Sequence, residues 1–165
     1  MDILTLLQNE MEAEAATTRK MLLRVPADKW DWKPHPKSMS LRNLAVHIAE
    51  LPGWAAMALN TSELDFAAQP YKPTEVNDVT TLLNLFEKSV ETGRAALQNA
   101  KEEDLQPQWT LRNGDQVLMQ TNKYGVIRHS FSQTIHHRAQ LGVYLRLLDI
   151  PIPGSYGPSA DEANF

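Results

Sequence analysis

The stretch HSFSQTIHHRAQLGVYLRLLD, residues 129–149, decides the fold. Phe131, Ile135, Leu141, Leu145 and Leu148 return at intervals of three, four or a multiple of these. That is the repeat of one face of an α-helix. Extended back through Ile127, the pattern predicts a helix over 123–148 with one face in a core. The same stretch carries three of the chain's five histidines, His129, His136 and His137. It also sets Arg138 among the apolar positions, where it can snorkel, pair with a buried carboxylate or face a subunit interface.

Three further segments share the period. In 2–24, Leu4, Leu7, Met11, Ala15 and Leu22 recur behind Asp2, an N-cap residue type, and Pro26 marks the stop. In 40–60, Ser40 caps a face of Leu41, Leu44, Ala45, Ile48, Leu51, Ala55 and Leu59. Pro52 and Gly53 predict a kink or break near Leu51. In 78–100, Asp78 precedes a seam of Val79, Leu82, Leu83, Phe86, Val90, Gly93 and Leu97. Four amphipathic segments with no alternating strand–helix pattern predict an all-α fold, a four-helix bundle in one domain over 1–165. The connections 26–39, 61–77 and 101–122 are long for a bundle and permit crossovers. Asn113-Gly114, between two short β-capable runs in QWTLRNGDQVLMQ, predicts a small hairpin in the third connection. The tail over 150–165, rich in Pro and Gly, reads as irregular.

Composition narrows the function. The chain has 165 residues, no cysteine and a net charge of −4. Disulfides, thiolate metal sites and a cysteine nucleophile are excluded. No stripe of interleaved cations and aromatics points to nucleic acid. No apolar run reaches the length of a membrane span. MDILTLLQNE lacks the basic and apolar regions of a signal peptide, so a cytoplasmic location is expected.

The histidines carry the remaining signal. On an ideal helix of roughly 100° per residue, His137 falls about 80° from the centre of the apolar face, and His47 about 60° from the centre of its own. Both occupy the shoulder of a core-facing stripe, and each has an aromatic residue seven positions on, Trp54 and Tyr144. Gln133 lies one turn before His137, so the two can aim at one point. A histidine from a facing helix can reach the same point, which is how bundle metal sites are built. The competing reading is a hydrogen-bonded boundary histidine. His129 and His136 turn further towards solvent, and His35, between two prolines, reads as a loop residue. Glu50, one turn after His47, reads as a surface carboxylate, with a second-sphere partner or a general base as the other roles open to it.

Two blocks resemble a known family. DKWDWKPHPKSMSLRNLAVHIAELPGW (28–54) is similar to the region around the second helix of the DinB/YfiT-like family. IHHRAQLGVYLRLLDIPIPGSYGPS (135–159) is similar to that family's last helix and the exit from it. The resemblance implies a four-helix bundle with a long crossover, a homodimer, and a divalent metal such as Zn, Ni or Fe on three histidines. The first corresponds to His47 and the third to His137. The middle one corresponds to Gln133, a departure that leaves two imidazoles and an amide. His129 is too far along the helix axis to take the missing place, and His136 points about 100° away. Relatives imply a transferase or isomerase using a low-molecular-weight thiol such as bacillithiol or mycothiol. Two expectations follow. One is a metal-dependent transferase or hydrolase acting on a small molecule, with Glu50, Trp54, Tyr144, His129 and His136 around the pocket. The other is a non-catalytic, stress-associated or binding protein with a degenerate site.

Overall fold

The computed structural model describes residues 2–163. Met1, Asn164 and Phe165, which belong to the expected 1–165 domain and in part to its 150–165 tail, lie outside the described residues. All four periodic segments are helical: α1 (Ile3–Leu22), α2 (Leu41–Glu50) continued by α3 (Trp54–Asn60), α4 (Val79–Asn99) and α5 (Lys123–Leu147). Each begins on a side chain that satisfies an otherwise unpaired backbone N–H. Asp2 accepts from Thr5 N at 2.8 Å, Ser40 from Asn43 N at 3.2 Å, Asp78 from Thr81 N at 2.7 Å and Asn122 from Gly125 N at 2.8 Å. The break between α2 and α3 is one turn of 3₁₀ helix, Leu51–Gly53, at the proline that cannot donate.

The helices form a ring in which α1 packs on α4 and α5, and α2–α3 pack on the same two from the other side. Successive helices α1 and α2 therefore lie diagonally opposite, so their connection crosses the end of the bundle. One half of the core is built on Leu22, Leu44, Ile48, Phe86 and Leu141, the other on Leu7, Leu97, Trp109, Ile127 and Phe131.

The expectation of an all-α chain is corrected by a three-stranded mixed sheet. Strands β2 (Gln108–Asn113) and β3 (Gln116–Asn122) form the hairpin, with Gly114 in the left-handed region at φ +59°. The addition is β1 (Glu63–Asp65), which pairs parallel to β2 through Glu63–Thr110 and Asp65–Arg112. Three residues are too few to show a period of two. Their pairing is fixed by partners distant in sequence: Gly114 N donates to Asp65 Oδ1 at 2.9 Å, and Arg112 reaches Glu63 at 3.1 Å. Trp109 closes the core beneath the sheet, its indole N–H donating to Thr61 Oγ1 at 2.9 Å.

Arg138 is 2% exposed and is spent within the subunit. Its guanidinium lies 2.6 Å from Glu14, donates to Thr18 Oγ1 at 3.0 Å and to Tyr156 Oη at 2.9 Å. It sits over the Tyr156 ring, 5.3 Å from the centroid. Of the three roles open to it, the buried ion pair is the one realised, and a subunit interface is not needed to explain it.

Gly93 marks the closest approach of α4 to the 3₁₀ turn. A Cβ there would stand 2.4 Å from the Pro52 carbonyl oxygen and 3.2 Å from Met11 Sδ. Alanine would favour the helix by up to about 1 kcal/mol. The clash is with backbone, however, and overpacking costs about 1–3 kcal/mol. Gly93→Ala is expected to lower the melting temperature followed by circular dichroism; an unchanged or raised value would refute the close approach.

Candidate functional site

α2 and α5 are neighbours in the ring and bring His47 and His137 together. Their rings meet edge to face, with centroids 4.7 Å apart. Both are half-buried. Trp54, the first residue of α3, lies edge-on to His47 at 6.1 Å, while its other neighbour His129 stacks on it at 6.5 Å. Gln133 stands between these groups. Its amide nitrogen lies 3.2 Å from His129 Nε2, and it also makes a polar contact with His47.

A hydrogen bond assigns the free nitrogen of the His137 ring. An amide oxygen only accepts, so the 2.9 Å bond from His137 Nδ1 to Gln140 Oε1 places the proton on Nδ1. Nε2 keeps its lone pair. The i, i+3 spacing of His137 and Gln140 on one helix made this partner legible in the sequence, yet it was not among the residues expected. His136 is exposed, its ring 4.9 Å from that of His137.

Two other expected residues are engaged elsewhere. Glu50 accepts from Tyr71 Oη at 2.7 Å, Thr74 Oγ1 at 2.6 Å and Thr74 N at 3.3 Å, so it ties the 66–76 segment to α2. Tyr144 packs edge-on against Trp32 at 5.6 Å and donates to Met39 O at 3.2 Å, beside the start of α2. His35 is an exposed loop residue whose Nδ1 accepts from Lys37 N at 3.1 Å.

Burial, with the charge of His137 second, lowers the pKa of His47 below its ordinary 6.5; Glu50 and Gln133 act the other way. Burial also lowers His137, with His136 adding to the effect and Gln140 opposing it. Both rings are therefore neutral at neutral pH, the form that binds metals or accepts protons. The unfolded chain takes up these protons first. Stability from this source is complete above the unfolded value near 6.5 and is lost as pH falls from there towards the lowered folded values. Between about pH 7.5 and about 5.5, wild type is expected to lose more melting temperature than His47→Gln, which lacks one of the two groups. Parallel losses would show that His47 does not titrate in this way.

Among the described residues, no three His, Cys, Asp or Glu side chains converge as a metal-binding group. The convergent donors are two imidazoles from facing helices and the Gln133 amide. This set fits a borderline divalent ion, with one weak donor.

A cleft of about 490 Å³ opens beside His47, lined further by Trp54, Met57, Leu64, Phe66 and Lys72. Its far wall, the segment after β1, was missed in the sequence because it has no periodicity to read.

The profile of the DinB family matches residues 1–164. The chain belongs to the DinB family. Among solved DinB-like structures, one from Bacillus subtilis is 20% identical with a TM-score of 0.70, covering 90% of this chain and 96% of that one. Another, from Bacillus cereus ATCC 10987, is 18% identical with a TM-score of 0.68, covering 91% and 95%. At these identities they show that the DinB fold is shared. No curated protein matches the chain. Among the described residues of this DinB chain, no helix is long and apolar enough to cross a membrane.

Proposed function

We propose that this chain is a metal-dependent enzyme that holds a divalent ion with His47, His137 and Gln133 and transfers or hydrolyses a group on a small molecule. The observation that carries the reading is the pairing of two lowered-pKa imidazoles, 4.7 Å apart on neighbouring helices, one of which, His47, lines a largely apolar cleft. His47 and the Nε2 of His137 would be the strong donors, with the Gln133 amide the weak one. An ion held there supplies Lewis acidity towards water or a low-molecular-weight thiol. The chain's own part is to orient His137 through Gln140, to keep both rings neutral by burial, and to exclude water with Trp54. Elemental analysis of untagged protein, followed by Zn and Ni titration after chelator treatment, tests the reading. About one equivalent, lost in His47→Ala, is expected; no metal in either experiment overturns it.

One observation favours a second reading, a DinB-fold binding protein without catalysis. The Gln133 amide is already bonded to His129, and this tie is a structural use of the position that asks nothing of a metal.

A homodimer remains part of the proposal. Its support is the exposed pair Val143 and Leu147, one turn apart on α5 and 58% and 59% exposed. Sedimentation equilibrium at micromolar concentration is expected to show twice 18.6 kDa; a single species at that monomer mass removes the dimer.

A further inference from the structure

We infer that the cleft beside His47 binds a small amphiphile: an apolar body along Trp54 and Phe66, with a single anionic group at Lys72. The binding half of this inference stands without a metal. Only the role of the bound molecule as a substrate, its reactive end at His47, rests on the proposed function.

The volume, about 490 Å³, is that of a small-molecule site. Trp54, Met57, Leu64 and Phe66 remain half-exposed in the isolated protein although they face one concavity. Covering such a surface is favourable for any ligand that matches it in shape. Among the described residues, the one charged side chain that lines the cleft is Lys72. Among the described residues it takes part in no ion pair. The Glu50 carboxylate accepts hydrogen bonds from Tyr71 and Thr74, on either side of Lys72 in the chain, and none from Lys72 itself. Apolar walls with one cation outside any ion pair select an apolar molecule with one negative group over a neutral or cationic one.

The far wall is built rather than loose. Phe66 N donates to Arg112 O at 3.0 Å, and Gln69 N to Asp65 O at 2.8 Å, which fix the chain to the sheet. Glu50 fixes its other end to α2. The ligand therefore meets a preformed site and does not have to order this segment, which removes a large cost of binding.

The test uses two fluorescent probes that share one ring system, anilinonaphthalene sulfonate and the uncharged N-phenylnaphthylamine, titrated into chelator-treated protein. Both are expected to bind. Lys72→Gln should weaken the sulfonate about threefold, the scale of an exposed charge contact, and leave the neutral probe unchanged. Lys88→Gln, an exposed lysine of α4 outside the cleft, should leave both unchanged. Phe66→Ser should weaken both probes about tenfold, as loss of an aromatic wall does. Met57→Gln, on α3, repeats that test should Phe66→Ser melt below wild type. The inference falls if Lys72→Gln affects the two probes alike, or if wall variants with wild-type melting curves bind both as tightly as wild type. Probe binding that follows these variants in a protein that takes up no metal would sustain the cleft and sink the metal-dependent reading. Metal uptake with probes indifferent to Phe66 and Lys72 would do the reverse.

Discussion

Replacing Arg138 with methionine is expected to lower the free energy of unfolding by about 3–5 kcal/mol, the cost of breaking a buried ion pair from one side. Methionine fills much of the volume of the arginine stem, so lost packing contributes little. What remains is the Glu14 carboxylate, whose side chain is 12% exposed and whose main counter-charge is gone. Thr18 Oγ1 and the Glu14 carbonyl also lose their donor. Tyr156, held between Arg138 and Glu14, loses one of its two partners and with it part of the anchor for the tail. Urea unfolding measures the loss. The attribution is tested by the double variant Glu14→Leu with Arg138→Met. If the penalty is that of an orphaned charge, removing both charges recovers most of it, since apolar replacement of a buried pair is often neutral or stabilising. A double variant as unstable as the single one would mean that the hydrogen bonds to Thr18 and Tyr156 carry the energy instead. A single variant within about 1 kcal/mol of wild type would place Arg138 at the surface, against its burial here.

The same arginine shows what a sequence can and cannot disclose. Its position among apolar residues was plain from the helical period, so its burial was legible. Its partner was not, because Glu14 lies 124 residues away on α1, and no local pattern links two helices. The shoulder positions of His47 and His137 follow from helix geometry alone, and two such shoulders on neighbouring helices meet if the helices face each other. Strand β1 stayed hidden for a related reason. Glu63–Asp65 has a partner only once β2 arrives from across α4, and nothing within three residues announces a parallel pairing. Tyr144 shows the limit of spacing arguments. Seven residues from His137, it shares a helix face but lies roughly 10 Å along the axis, far enough to join Trp32 and the start of α2 rather than the cleft.

Gln133→His is expected to convert a weak donor set into a strong one. Positions 129, 133 and 137 follow each other at i, i+4 along α5, so a ring at 133 lies on the same face as His137 and opposite His47. Imidazole is a better ligand than an amide oxygen for Zn or Ni, and i, i+4 histidines are the spacing by which zinc helices chelate. Linkage sets the size of the effect: with free metal at ~100 times its dissociation constant, stability rises by roughly 2.7 kcal/mol. Melting curves of wild type and variant, after chelator treatment and then with Zn or Ni, read it directly. The structure adds a complication, since the residue at 133 touches His129 as well as His47. An ion could sit on the 129–133 pair rather than on 47, 133 and 137. The double variant His129→Gln with Gln133→His separates the two. If the gain persists there, and is abolished by His47→Ala, the ion lies between α2 and α5. If His129→Gln abolishes it, the gain belongs to an incidental site along one helix. If Gln133→His shows no response to metal at all, position 133 is not part of a metal site, and this DinB chain uses its amide only to tie His47 to His129.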